Sequence, residues 1–188
     1  AAALLIAQNR DRELKAKLDT IIDALARCQE LNGGRWIGSI PEKYFEKLKK
    51  NEYIWSPQYT LHKTLLGLYH SALYAQNQVA LEILGKAADW YLEWTEKMMQ
   101  KNPHAVYSGE EGGMLEVWAG LYQLTEDERY LTLAQRYAHP SIFGRLADGE
   151  DPLSNCHANA SIPWAHGAAK MYEITGDAAW LELVKQFW

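Results

Sequence analysis

The chain has 188 residues, 48% of them hydrophobic and 23% charged, which is enough to bury one sizeable core and too apolar for a disordered segment. Lys and Arg number 19 against 24 Asp and Glu, and the net charge of −5 removes any overall electrostatic case for nucleic acid as a partner. No apolar run approaches the roughly 20 residues that cross a bilayer, so no membrane partner is expected, and the two cysteines, Cys28 and Cys156, form neither a disulfide framework nor a C-x-x-C metal pair.

Ala1 to Ala7 reads as an apolar helix end, since no basic start precedes it and Asn9-Arg10-Asp11 follows at once. A long helix is predicted from Leu14 through Leu31. A loop from Gly33 to Pro57 follows, with the basic run Lys47 to Lys50 on a solvated face. Ser56 is the expected N-cap and Pro57 the first helical position of the next helix. On that helix Leu61, Leu65, Leu68 and Ala72 mark one apolar stripe and Leu66, Tyr69 and Leu73 a second, as in a helix buried on several sides. Its partner keeps Leu81, Leu84, Ala88, Tyr91 and Leu92 on one flank and its charges elsewhere, as an outer helix does. Two further long connections run from Asn102 to Gly113 and from Pro140 to Ser161, the latter ending where Ser161 and Pro163 are expected to open a helix.

One segment recurs: Ala72 to Leu84, Tyr122 to Ala134 and Tyr172 to Val184 are spaced by 50 residues, twice. Each copy ends a helix, turns through polar residues and starts another with Leu81, Leu131 or Leu181. With a shorter echo around Asn9-Arg10-Asp11 this gives four helical hairpins and no strand. The expected class is all-α, with repeated hairpins forming part of an (α/α)6 toroid. A period well beyond the roughly 34 residues of simple helical solenoids leaves long loops at one end of each pair. Uncapped ends at Ala1 and Trp188 suggest one partial barrel segment, 1–188, of a longer polypeptide.

The three long loops are expected to share a rim, where repeat folds collect functional residues. The first ends in Trp55-Ser56-Pro57-Gln58-Tyr59-Thr60-Leu61-His62-Lys63, which places His62 near the mouth, either for a sugar hydroxyl or for a neighbouring loop carbonyl. The second carries Glu110 and Glu111 before Gly112-Gly113, as aimed carboxylates or as acids favoured by a helix start. Adjacent acids are a weak hydrolase signal, because glycosidases need acids about 5 Å or more apart across the scissile bond. The third holds His157 and Asn159, short polar groups suited to hydroxyl recognition, with Asn159 also readable as a turn or capping residue. Eight Trp and 11 Tyr against 3 Phe suit either a wet sugar cleft or wide helix interfaces. Cys156 beside His157 lacks zinc-ligand spacing, so no metal site is expected within the chain.

These strings resemble the β-L-arabinofuranosidase family, glycoside hydrolase family 127, along nearly the whole chain. Trp36 to Phe45 is similar to its glycine-tyrosine-leucine-x-x-x-proline loop, and Trp55 to Lys63 to W-x-P-x-Y-T-x-H-K. Glu111 to Glu116 resembles E-[FY]-G-G-M-N-E, and His157 to Pro163 resembles H-A-N-T-x-I-P. The resemblance implies an (α/α)6 catalytic barrel acting on β-linked L-arabinofuranosides of plant glycans. It implies that His62 and His157 contact the sugar, with Trp55, Tyr59 and Glu111 nearby; Asn159 joins them by its place on the rim beside His157. It further implies a zinc-bound cysteine nucleophile and a glutamate acid/base downstream of Trp188, so that zinc belongs to the full-length enzyme and no catalytic residue to this chain. Leu115 stands where the family has Asn, Trp164 where a Lys is usual, and Glu110-Glu111 where an acid-aromatic pair is expected. Loss of that Asn implies a missing polar contact near the cleft and room for a different sugar. A sugar epimerase or isomerase of the helical-toroid type, or a non-catalytic helical binding scaffold, are the alternatives.

Overall fold

The computed structural model describes residues 1–188 as ten α-helices and one short 3-10 turn, with no strand. Four hairpins account for eight of the helices: α1 (Ala2–Asn9) with α2 (Arg12–Leu31), α4 (Pro57–Ala75) with α5 (Gln78–Lys101), α6 (Met114–Thr125) with α7 (Glu128–Arg136), and α9 (Ala158–Thr175) with α10 (Ala178–Phe187). The same tight turn closes all four. Each first helix ends on a left-handed residue, Arg10, Gln76, Glu126 or Gly176, and each second helix starts on an Asx N-cap, Asp11, Asn77, Asp127 or Asp177. The cap carboxylate or amide oxygens accept from Leu14 N, Ala80 N, Arg129 N and Ala179 N at 2.9–3.0 Å, a bond worth about 1 kcal/mol per helix.

The first members of the hairpins form an inner row, α1 on α4, α4 on α6 and α6 on α9, while α2, α5 and α7 pack in turn as an outer row. The core lies between the rows as one continuous cluster of 36 buried residues. Leu61, Leu65 and Leu68 on the inner side meet Ile83, Leu84 and Tyr91 on the outer side, all at most 2% exposed. No helix is long and apolar enough to cross a membrane.

The long connections are not irregular. The first contains α3 (Lys43–Lys49), whose Phe45 inserts edge-on among Trp36, Trp90 and Trp94 with ring centroids 5.1–5.3 Å away. The third contains α8 (Pro140–Ala147), which leans on α10 through Phe143 and Trp180. Most of the Trp excess is therefore packing: Trp36, Trp90, Trp94 and Trp118 are buried, and only Trp55 and Trp188 are strongly exposed. The last inner helix also starts earlier than expected. Its first residue is Ala158 with His157 at the N-cap, and Pro163 lies inside it, at the cost of the helical bond that a proline nitrogen cannot give to the Asn159 carbonyl.

Candidate functional site

The starts of α4, α6 and α9 converge at one end of the inner row, and the loop between α5 and α6 is threaded among them. Gln58, fully buried at the start of α4, donates from Nε2 to the carbonyls of Val106 and Ser108 at 2.9 and 2.7 Å and accepts from the Tyr137 hydroxyl at 2.7 Å. Tyr59 N donates to the Gly109 carbonyl at 3.1 Å. Further along, Gly112 lies against the Ala160 carbonyl and the Trp164 ring, and Gly113 against the His62 ring, so closely that a Cβ on either would overlap its neighbour. Two consecutive glycines let three helix starts meet where side chains would hold them apart.

The result is an open cleft of about 500 Å³ lined by Trp55, Ser56, Tyr59, Thr60, Glu110, His157 and Asn159. Ser56 and Glu110 hold left-handed backbone, φ 49° and 59°, without being glycine, a conformation that persists where surrounding contacts over-determine it. Ser56 sits at the N-cap position of α4 but makes no capping bond, because a cap oxygen reaches the helix from extended backbone. Its hydroxyl is buried without a partner. Lys63 Nζ lies 4.5 Å from the Tyr59 ring centroid, a cation–π contact that fixes the ring. His157 makes no side-chain capping bond either, which leaves both ring nitrogens exposed at the rim.

Of the six residues singled out in the sequence, Trp55, Tyr59, His157 and Asn159 lie together in this cleft. His62 and Glu111 lie beneath it, each 4% exposed. His62 Nε2 has no hydrogen-bond partner, neither a loop carbonyl nor anything else, and burial, reinforced by Lys63, lowers its pKa to about 4. The two adjacent acids part company: Glu110 lines the cleft, while Glu111 turns inward to accept from Trp164 Nε1 at 3.3 Å. Burial pushes Glu111 up to about 7, against the opposing Trp164 hydrogen bond. Leu115 does not face the cleft; it is 1% exposed and packs on Gly167 in the α6–α9 interface, so its difference from the family's Asn is a matter of core packing. Sequence reasoning missed Gln58, Thr60 and Ser56 as parts of the site, and Trp164 as the partner of Glu111.

The Glu111 environment has a measurable pH signature. A carboxyl raised from 4.5 to about 7 makes the folded state hold a proton that the unfolded chain releases. Its contribution is fully present below about pH 4.5 and is lost as pH rises toward 7, a change on the order of 3 kcal/mol. His62 has the opposite sign: it favours the neutral ring, and its contribution is lost as pH falls from 6.5 toward 4. The two slopes oppose each other between pH 4.5 and 6.5. Urea titrations of wild type and Glu111→Gln across pH 4–8 are expected to show wild type losing stability relative to the variant as pH rises; a pH-independent difference would contradict the buried, uncompensated carboxyl.

No group of three or more His, Cys, Asp or Glu side chains is placed to hold a metal ion. Cys28 and Cys156 are both exposed and stand apart, on α2 and on the loop before α9. The residues of this chain therefore do not fit the zinc–cysteine centre that the resemblance implies. Chemically, the cleft offers one carboxylate, one imidazole, an amide, hydroxyls and an exposed indole, a set suited to holding a polyhydroxylated ligand. Comparison with curated proteins gives no match. The family model for the β-L-arabinofuranosidase GH127 catalytic domain matches residues 1–188, from end to end, and the chain belongs to that family of glycoside hydrolases.

Proposed function

We propose that the cleft binds a β-linked L-arabinofuranosyl unit of a glycan, and that the chain supplies this part of the sugar-binding surface of a glycoside hydrolase. The reading takes the two rows of hairpins as part of an (α/α)6 ring with the cleft at its mouth. The observation that carries it is the meeting, from three loops remote in sequence, of the exposed Trp55 ring with Tyr59, Thr60, Glu110, His157 and Asn159. A ring with its face in water suits the C–H face of a sugar. The Glu110 carboxylate accepts from hydroxyls, the Asn159 amide both donates and accepts, and the His157 imidazole offers two ring nitrogens for hydrogen bonding.

The roles of these residues are binding and orientation. Glycoside hydrolysis needs two groups flanking the scissile bond, and the cleft holds a single carboxylate. No residue here is assigned to the zinc-bound cysteine or the acid/base glutamate that the resemblance implies. The buried His62 and Glu111 support the floor: His62 packs under Gly113, and Glu111 ties the loop to α9 through Trp164.

Calorimetric titration with methyl β-L-arabinofuranoside is the test. Binding is expected to saturate, to weaken about tenfold in Trp55→Ala and His157→Ala, and to be accompanied by a blue shift of Trp emission as the 80% exposed Trp55 is covered. Heats that never saturate, or affinities unchanged in both variants, would remove the assignment.

A further inference from the structure

We infer that Glu111 is a positioning residue for the cleft: its carboxyl, while neutral, holds the start of α9 with His157 and Asn159 in place, and its ionisation releases them. This role rests on the sugar-binding reading above and adds to it a control by pH. Glu111 and Gly112 touch α9 at two points one turn apart. Trp164 Nε1 donates to Glu111 Oε1 at 3.3 Å, and the Ala160 carbonyl lies against Gly112. Ala160 and Trp164 follow directly on the cleft residues of that helix, His157 at its N-cap and Asn159 in its first turn.

The contact is poorly equipped to hold a charge. Glu111 is buried, and the long bond from Trp164 is the one it accepts from another side chain. No cation acts on it: the titratable groups around it are the Glu110 carboxyl on its own loop, Tyr107 in the loop before it and Tyr137 at the end of α7. Two imidazoles stand behind the contact, His62 against Gly113 and His139 edge-on to Trp164 with ring centroids 5.6 Å apart. Burial lowers the pKa of both, which favours the neutral rings. Both members of the pair depart from the family's strings, where an aromatic residue stands at 111 and a Lys is usual at 164, so the contact is a feature of this chain.

Burial keeps the Glu111 carboxyl protonated up to about pH 7. A carboxylate formed there needs donors that the surrounding side chains do not supply, and water in the adjoining cleft does. The backbone permits the turn outward. Gly109 and Glu110 are both left-handed, φ 80° and 59°, and Gly112 and Gly113 follow, so Glu111 has a hinge on either side. Turning it toward water draws the carboxylate off Trp164 and Gly112 off the Ala160 carbonyl. The start of α9 then loses both supports, and His157 and Asn159 lose their register with Tyr59 across the cleft.

The test titrates methyl β-L-arabinofuranoside into wild type, Glu111→Gln and Trp164→Phe from about pH 5.5 to about pH 8.5. Wild type is expected to lose about tenfold in affinity across that range and, above about pH 7, to take up a proton on binding, read from heats in two buffers of different ionisation enthalpy. Glu111→Gln stays neutral at every pH and keeps an acceptor for Trp164, and it is expected to lack both effects. Glu110 and His157 are common to the two proteins, so their own titration cancels in the comparison. Trp164→Phe removes the donor that favours the carboxylate and is expected to move the loss of affinity to higher pH. Without sugar, the Trp164 indole N–H resonance is expected to shift through about pH 7 in wild type and to stay fixed in Glu111→Gln. Matching pH profiles in two proteins that both bind, or a Trp164 resonance that does not titrate in wild type, overturn the role of Glu111 and leave the cleft standing. If neither protein binds the glycoside at any pH, the sugar-binding reading fails and the role of Glu111 falls with it.

Discussion

Gly112→Ala is expected to destabilise the protein by about 3 kcal/mol or more, at the upper end for a single added methyl group in a packed region. The penalty is steric. Gly112 does not have positive φ, so alanine is conformationally acceptable there. Its Cβ, however, would overlap the backbone carbonyl oxygen of Ala160 and lie 3.1 Å from Trp164 Nε1. A carbonyl in the first turn of α9 cannot rotate away; the helix start has to move, on the order of 1 Å, in an interior packed as densely as a crystal. That displacement carries His157 and Asn159 away from Tyr59 and loosens the Trp164–Glu111 bond, so sugar binding falls with stability. Gly113→Ala makes a useful contrast, because its Cβ meets a side chain, the His62 ring, with Nδ1 at 2.6 Å. Adding His62→Ala to Gly113→Ala should recover part of the loss, whereas no side-chain deletion rescues Gly112→Ala. Gly67→Ala, exposed in the middle of α4 with open space around its Cβ, serves as the control and is expected to gain about 0.5–1 kcal/mol. Urea midpoints with unchanged m-values measure all four. A Gly112→Ala variant within 1 kcal/mol of wild type would mean that the three helix starts are not held by this glycine pair.

What could be read in the sequence follows from what has a local cause. The hairpins were legible because Asn77, Asp127 and Asp177 cap at the same 50-residue spacing and the leucines after them recur in phase. The left-handed residues before the caps, Gln76 and Glu126, carry no such signature, since neither is glycine. The start of α9 was misplaced because proline favours the first helical position; here the Asn155 turn and the His157 cap begin the helix five residues before Pro163. In the cleft, His157 and Asn159 were singled out by their place in the third long loop, and Trp55 and Tyr59 by the motif that resembles the family's. The burial of His62 and Glu111 was not, because it depends on Gly112 and Gly113 bringing another segment over them, a long-range event with no trace in either residue's neighbours. Gln58 did leave a trace. It stands three residues before Leu61 on the stripe that continues through Leu65, Leu68 and Ala72, and a polar side chain on a buried stripe needs partners.

Those partners make Gln58→Met the second large expected effect, a loss of about 2–4 kcal/mol despite similar volume. The substitution leaves the Tyr137 hydroxyl without its acceptor and takes the donor from the carbonyls of Val106 and Ser108, all around a fully buried position. Tyr137→Phe alone strands only the Gln58 Oε1 and is expected to cost about 1–2 kcal/mol. Because the two residues share one bond, the double variant should cost less than the two losses combined, by about 1 kcal/mol. Additive losses would show that the hydroxyl and the amide act independently. Gln58→Glu is expected to be worse than Gln58→Met at pH 7, since it buries a carboxylate facing two carbonyl oxygens, and to improve as acid neutralises it. The consequence for binding follows from the loop that Gln58 holds: the segment from Ala105 to Gly109 leads directly into Glu110, and Glu110 lines the cleft. Releasing that segment in Gln58→Met is therefore expected to weaken sugar binding in the cleft together with stability, which the same calorimetric titration reads.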